Sequence, residues 1–290
     1  MIYKATEIKI TKTKLVIGVP EPFKLLHVTD SHLIYSDDQD SDMQRKLMAM
    51  RREAYDSKHG DNCCRRWCDA LFQYAKDNGE LLVHTGDLID FVSQANLDRA
   101  KRFFDENDVA LVTAGNHEFA IYIGDGEKEN AEYRNRSLAT VQSYFPNDIR
   151  FYAREMSGVK LIGMDDGYYR FEGWQLERLK QEAADGMPIL LFLHNPIYTP
   201  ELHEVLTHGN PTCSFLVGVP EELTRRYPPD RMEQQTPDAV TLETVDYIRS
   251  CPLIRAVFTG HLHCDAETML TETLPQYITS MTTARVIQVR

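Results

Sequence analysis

Six short apolar runs, separated by stretches of helical or loop character, constrain the fold of this chain most strongly. Each run is nearly continuously hydrophobic, as is typical of strands that are covered by helices and bury both of their faces. The runs are Lys24–Val28, Leu81–Thr85, Val109–Ala114, Lys160–Met164, Ile189–Leu193 and Ile254–Thr259. Their alternation with helical stretches predicts an α/β layered fold, in which ligands collect beyond the carboxyl ends of the strands.

Five of these runs lead directly into short polar motifs. In chain order the motifs are Asp30-Ser31-His32, Gly86-Asp87-Leu88-Ile89-Asp90, Gly115-Asn116-His117-Glu118, a lone His194, and Gly260-His261-Leu262-His263. Carboxylate, amide and imidazole groups are the ligands that divalent ions such as manganese, iron and zinc accept. The motifs therefore predict a metal site at the strand ends.

No single motif carries this prediction. Asp30 and His32 could form an ordinary turn, and Gly86 and Asp87 are residue types common in turns and helix caps. Two histidines as close as His261 and His263 could likewise be polar turn residues. The ordered set is what makes a chance arrangement implausible.

Taken together, the motifs resemble the pattern of the calcineurin-like metallophosphoesterase superfamily. That pattern is DxH, GDxxD, GNH followed by Asp or Glu, a lone His, and GHxH, and each part is present between residues 30 and 263. The resemblance implies an αββα sandwich, in which two mixed β-sheets are flanked by helices. This expectation agrees with the rhythm of the apolar runs.

The resemblance also implies a set of metal ligands. Seven residues are expected to hold two divalent ions: Asp30, His32 and His263 for the first, Asn116, His194 and His261 for the second, and Asp87 as the bridge. The ions would be manganese, iron, zinc, cobalt or nickel, because mixed oxygen and nitrogen ligands suit all of them.

Two further motif residues are expected to take part in the chemistry rather than in metal binding. His117 is assigned as the general acid or phosphate stabiliser, because imidazole can donate a proton near neutral pH. Asp90 is assigned to orient His117 by accepting its other N–H group. Glu118 has no assigned role beyond support of the site.

The function implied is hydrolysis of a small phosphoester, a phosphodiester or a phosphomonoester, with nucleotide-related esters among the candidates. The reaction would proceed by in-line attack of a hydroxide that bridges the two ions. A nuclease is the nearest alternative, although the net charge of −12 is unfavourable for nucleic acid. A metal-binding scaffold without catalysis is the alternative from another class.

The 290 residues are interpreted as one domain with two insertions, at residues 36–62 and 196–238. The first contains a helix-like stretch at Met43–Tyr55. The second carries seven prolines, which exclude one long helix or a central strand. The two insertions are expected to cap the site and to set its substrate selectivity.

The location expected from sequence is the cytoplasm, with no membrane partner. Residues Met1–Ile10 alternate polar and apolar side chains like a strand and lack the apolar core of a secretory signal. No stretch approaches the roughly 18 apolar residues of a membrane-spanning helix. The oligomeric state is not predicted.

Overall fold

The computed structural model describes residues 8–119, 131–208 and 212–290. Within those ranges the strands are β1 (Lys9–Leu15), β2 (Phe23–Val28), β3 (Leu81–His84), β4 (Val109–Val112), β5 (Phe151–Met156), β6 (Val159–Met164), β7 (Ile189–Phe192), β8 (Ile254–Thr259), β9 (Ala266–Met269), β10 (Pro275–Ile278) and β11 (Thr283–Val289). The helices are α1 (Asp42–His59), α2 (Cys63–Asn78), α3 (Gln94–Glu106), α4 (Ala131–Gln142), α5 (Gly173–Ala183), α6 (Pro200–His208), α7 (Glu221–Thr224), α8 (Pro229–Gln235) and α9 (Ala239–Ser250). A short 3₁₀ helix spans His117–Phe119.

The strands form two mixed sheets. The first has the order β1-β11-β2-β3-β4, and the second has the order β5-β6-β7-β8-β10-β9. Strands β2, β3 and β4 run parallel, as do β6, β7 and β8. Because the carboxyl ends of parallel strands share one edge, each sheet directs three loops to a common side.

Alternation along the strands builds the layers of the molecule. Leu25 of β2 packs between the two sheets with Leu190 and Phe258. Its neighbour Leu26 instead packs outward against Leu71 of α2, in a cluster that also includes α3 residues. The outer face of the second sheet is covered in the same way by α5 and α9. The predicted αββα sandwich of two mixed sheets is therefore confirmed.

The predicted runs correspond closely to β2, β3, β4, β6, β7 and β8. The C-terminal stretch from Glu267 to Arg290 alternates polar and apolar residues, which predicts final antiparallel strands, and the structure differs from this prediction. Only β9 and β10 pair antiparallel there, whereas β11 crosses to the first sheet and lies parallel to β1 and antiparallel to β2. The strand prediction for Met1–Ile10 lies mostly outside the described residues, and β1 begins at Lys9.

The two segments interpreted as insertions contain helices. Residues 36–62 include α1, which begins at a capping box formed by Ser41 and Gln44. In the described part of residues 196–238, the prolines separate α6, α7 and α8. None of the described helices is both long enough and apolar enough to span a membrane.

Candidate metal centre

Three loops of the first sheet bring the carboxylate and amide motifs together. Asp30 follows β2, Asp87 follows β3 and Asn116 follows β4. The first two loops continue the strand pairing, because Asp30 N donates to Gly86 O at 3.0 Å and His32 N donates to Asp87 O at 2.9 Å. The motifs therefore stay in register beyond the strands that deliver them.

Two loops of the second sheet bring in the remaining histidines. His194 follows β7, and His261 and His263 follow β8. The amide of His261 donates to Asp30 Oδ2 at 2.9 Å, so the β8 loop is fixed to the β2 loop. All of the predicted site residues thus converge where the two sheets meet.

The first ligand group consists of Asp30, His32 and His263. The two imidazole Nε2 atoms are 2.9 Å apart, and Asp30 Oδ1 lies 3.4 Å from His263 Nε2 and 3.8 Å from His32 Nε2. Two nitrogens bound at right angles to one ion, each at about 2.1 Å, would lie about 3.0 Å apart. The spacing of these atoms fits a shared cation.

The second ligand group consists of Asp87, His194 and His261. His194 Nε2 lies 3.2 Å from Asp87 Oδ2 and 3.1 Å from His261 Nδ1. Asp87 Oδ2 is also 3.8 Å from His32 Nε2, in the first group. Asp87 therefore stands between the two groups, as a bridging ligand would.

In His194 and His32, the hydrogen bond made by Nδ1 determines which ring nitrogen is available to a metal ion. His194 Nδ1 is 2.8 Å from the carbonyl oxygen of Thr85, which can only accept, so Nδ1 carries the proton. His32 Nδ1 is 2.9 Å from Asp90 Oδ1, a carboxylate oxygen. In both rings Nε2 is the atom that could bind a metal ion, and a partner on the other nitrogen is the arrangement that supports metal binding.

Asn116 is positioned beside the second group. A Cβ atom on the preceding residue, Gly115, would collide with Asp87 Oδ1 and lie 2.8 Å from His194 Cε1. Only glycine allows this approach, and it brings the Asn116 backbone to the edge of the centre. Asn116 Oδ1 and Asp30 Oδ1 are buried and have no hydrogen-bond partner among the described residues. Such orphaned oxygens are expected where a cation is the missing partner.

The electrostatics of the centre favour cations. Burial alone would lower the pKa of His32, but the nearby carboxylates of Asp30 and Asp90 raise it to about 10. Burial would also lower the pKa of His194, but the negative charge of Asp87 raises it to about 10. Protons on these rings compensate the buried carboxylates, and divalent ions would do the same. Burial and the nearby His194 lower the pKa of His261 to about 3.

His117 and Asp90 lie next to this centre. His117 Nδ1 is 2.6 Å from the backbone carbonyl of Asp90 and 3.4 Å from its Oδ1 atom. The carboxylate itself is closer to His32, at 2.9 Å. Burial lowers the pKa of His117, but the charge of Asp87 and the hydrogen bond to Asp90 raise it overall.

Glu118 has a structural role that the sequence left unassigned. Its buried carboxylate accepts from the backbone amides of Asp87 at 2.8 Å, Leu88 at 2.7 Å, Ile89 at 3.3 Å and Gly115 at 2.7 Å. It therefore fastens the loop that carries Asp87 to the loop that carries Asn116. The GNHE motif gave its position but not this function.

Arg51 is a residue of the site that sequence reasoning missed. It lies on α1, within the first insertion, and its Nε and Nη2 atoms donate to Asp90 Oδ2 at 2.6 Å and to Oδ1 at 2.8 Å. One turn further along, the ring of Tyr55 lies 5.5 Å from the ring of His32. No pattern in the sequence connected α1 with Asp90.

The second insertion reaches the opposite side of the centre. Phe215 has a positive φ of 57°, and its ring lies 5.9 Å from that of His261. The guanidinium carbon of Arg231, from α8, is 5.4 Å from the centre of the Phe215 ring. Residues 36–62 thus place an arginine and an aromatic ring beside the centre, whereas residues 196–238 place an aromatic ring there with an arginine packed against it.

Five of the seven predicted ligands have left-handed backbone conformations: Asp30, His32, Asp87, His261 and His263, with φ between 43° and 67°. Residues other than glycine rarely adopt this conformation, which costs on the order of 1–3 kcal/mol each. Such strain clusters at functional sites, and here it coincides with the converging side chains.

The remaining histidines lie outside the two ligand groups. His27 and His84 are buried beneath the site, and bond to Thr85 Oγ1 at 2.8 Å and to Ser31 Oγ at 3.0 Å. His203 bonds to Tyr227 OH at 2.9 Å in the second insertion.

Comparisons with known proteins point in one direction. A family model described as calcineurin-like phosphoesterase matches residues 23–265. A sequence search of curated proteins found no match.

Three solved structures are similar to this chain at low sequence identity. A dimetal phosphatase from Danio rerio is 14% identical over 90% of this chain and 88% of that one, with a TM-score of 0.48. A phosphopantetheinyl hydrolase from Mycobacterium tuberculosis is 11% identical over 94% and 90%, with a TM-score of 0.41. A 5′-nucleotidase from Candida albicans is 14% identical over 89% of this chain but only 45% of its own length, with a TM-score of 0.39.

Proposed function

Because the chain belongs to the calcineurin-like phosphoesterase family, we propose that it is a metal-dependent hydrolase of small phosphoesters. The observation that carries the proposal is the pair of adjacent ligand groups, with Asp87 of the second group 3.8 Å from His32 of the first. The oxygens Asp30 Oδ1 and Asn116 Oδ1, which are buried and have no hydrogen-bond partner in the described part of the chain, support it independently. The proposed ligands are the seven predicted residues: Asp30, His32 and His263, then Asn116, His194 and His261, with Asp87 between them.

The ligand set suits two divalent ions of the manganese, iron, zinc, cobalt or nickel type. When bound, such a pair lowers the pKa of a coordinated water and neutralises the oxygens of a phosphoryl group. Bridging by Asp87 is supported by its distances of 3.2 Å to His194 Nε2 and 3.8 Å to His32 Nε2.

His117 is proposed as the proton donor to the leaving group. Its Nδ1 faces the carbonyl oxygen of Asp90, so this nitrogen carries a proton in either charge state. Nε2 is then the atom that can hold and deliver a second proton. A general acid needs such a proton at neutral pH, and imidazole titrates in that range.

Asp90 is proposed to serve two histidines at once. Its backbone carbonyl holds His117, while its carboxylate holds His32 and receives the fork of Arg51. A bidentate guanidinium fixes both carboxylate oxygens, so Asp90 cannot rotate away from His32. Arg51 thereby connects the first insertion to the geometry of the centre.

The two insertions are proposed to select the substrate. Tyr55 lies against the first ligand group with Arg51 beside its ring, and Phe215 lies against the second with Arg231 beside its ring. A small phosphoester could contact positive charge and an aromatic surface from either side.

The test is hydrolysis of a panel by the purified full chain with each of the five candidate metals. The panel contains phosphomonoesters, phosphodiesters, cyclic nucleotides and DNA, and His117→Ala is the matched control. Turnover of a small ester that is reduced in the control supports the proposal. Turnover of DNA alone would favour the nuclease, and two bound ions with no turnover of any substrate would favour a metal-binding scaffold.

A further inference from the structure

The turn that follows β6, residues Asp165–Tyr169, lies directly against the second ligand group. Asp165 and Asp166 are fully buried, and Tyr169 is 2% exposed. The turn closes where Tyr169 N donates to Asp166 O at 2.7 Å. It contains none of the residues of the five motifs.

The turn holds the backbone of one ligand. Asp166 Oδ1 accepts from the amides of His194 at 3.0 Å and Asn195 at 3.1 Å. Since these amides follow the end of β7, the carboxylate fixes the direction in which His194 leaves the strand.

The turn also packs against a second ligand. A Cβ atom on Gly167 would lie 2.8 Å from the carbonyl oxygen of Gly115 and 3.2 Å from the amide nitrogen of Asn116. No larger residue could occupy this position without displacing the backbone that carries Asn116.

The third contact is made by a side chain to the ring of a ligand. Tyr169 OH lies 2.7 Å from His261 Nε2, while the other ring nitrogen, Nδ1, lies 3.1 Å from His194 Nε2. Nδ1 therefore faces the second ligand group and Nε2 faces the tyrosine. Histidines that bind metal generally donate their other N–H to a partner, which fixes the tautomer and the orientation of the ring.

The backbone of Tyr169 shows that this contact is imposed by the fold. Its φ is 62°, a left-handed conformation that is uncommon for a bulky residue and costs on the order of 1–3 kcal/mol. The ring packs in the cluster that covers the outer face of the second sheet, near Leu193 and Phe171. Burial and packing together hold the hydroxyl on His261.

We propose that Tyr169 is a positioning residue for the second metal ion, and that it sets Nδ1 of His261 as the ligand atom. The inference rests on the two-metal assignment in the proposed function. The contact that Tyr169 makes with the centre is to the ring of His261, a member of the second ligand group. Its removal should therefore weaken one ion and spare the other.

The experiment measures Mn²⁺ binding to the full chain by isothermal titration calorimetry. Tyr169→Phe removes only the hydroxyl and keeps the buried ring. Wild type is expected to bind two ions, and the variant to bind one of them normally and the other about 10- to 100-fold more weakly. Tyr227→Phe is the matched control, because it removes a buried hydroxyl 2.9 Å from His203, a histidine outside the centre.

Unchanged affinity for both ions in Tyr169→Phe, or equal weakening of both, would overturn the inference, as would a wild type that binds a single ion. A measurement on wild type keeps the test independent of whether the variant folds. Long-range ¹H–¹⁵N NMR of the Zn²⁺-loaded protein should show His261 protonated at Nε2, and protonation at Nδ1 would contradict the assignment. Neither measurement depends on hydrolysis. If only the proposed function is wrong, the protein will bind two ions but turn over no substrate.

Discussion

Replacing Glu118 with glutamine tests how the two central loops are held together. The carboxylate accepts four backbone amides, two on each oxygen, with the longest at 3.3 Å from Ile89. A glutamine of the same size presents one NH₂ group, which faces two donors in either orientation. The glutamine is expected to turn its NH₂ group toward Leu88 and Ile89, because the two hydrogen bonds lost there include the longest of the four.

The expected loss in the free energy of unfolding is about 3 kcal/mol. Hydrogen bonds to a charged acceptor contribute about 1.5–3 kcal/mol each, and two buried donors are left unpaired. Urea denaturation of the metal-free protein measures this loss, and Glu53→Gln on the exposed surface of α1 is the matched control, expected within about 0.5 kcal/mol of wild type.

A loss below about 1 kcal/mol for Glu118→Gln would refute the role given to this carboxylate. Burial and the charge of Asp87 raise the pKa of Glu118, whereas hydrogen bonds from Gly115 and Asp87 lower it. A small loss would mean that the group already carries a proton and that glutamine replaces it without penalty.

Three further predictions concern the side chains around the centre. His117→Gln is expected to retain the metal content of wild type, measured by elemental analysis, and to lose turnover by about 10²- to 10⁴-fold, with a smaller loss for esters of acidic leaving groups such as nitrophenol. Arg51→Ala is expected to lower the free energy of unfolding by about 1–3 kcal/mol, less than two fully buried hydrogen bonds to a carboxylate would contribute, because solvent screens the Arg51 side chain, which is 27% exposed. Arg51→Lys should recover only part of this in the same urea titration, because lysine cannot form the fork on Asp90, and full recovery would contradict the bidentate role. Gly115→Ala is expected to weaken Mn²⁺ binding more than tenfold by calorimetry, because the added methyl group collides with Asp87; wild-type affinity would show that the loops can separate freely.

The strands and the ligand loops could be predicted because both depend on local sequence. A run such as Ile189–Leu193 is apolar on both faces, which predicts a buried strand, and the polar His194 that comes next marks the end of that strand. Arg51 could not be found in this way, since its contact with Asp90 spans 39 residues and depends on how α1 docks. Tyr169 and His261 are 92 residues apart in the sequence. The position of β11 in the first sheet likewise depends on its pairing with β1, a strand at the other end of the described chain. None of these long-range contacts produces a periodic pattern or a motif in the sequence.

Asp90 illustrates a finer difference between pattern and structure. The motif suggested that its carboxylate orients His117, and that role remains a prediction. The carboxylate lies closer to His32, at 2.9 Å, than to His117 Nδ1, at 3.4 Å, whereas the backbone carbonyl holds His117. The spacing of residues in a motif does not specify which atoms meet.

The central claim is that Asp87 joins two metal ions in one centre, and metal stoichiometry tests it most directly. Full-length wild type and Asp87→Ala are to be loaded with Mn²⁺, freed of excess ion and analysed for metal per chain. Two ions per chain are expected for wild type and nearly none for Asp87→Ala, with both proteins folded by circular dichroism. Two ions retained by folded Asp87→Ala would contradict the bridging role, and a single ion in wild type would contradict the two-metal centre itself.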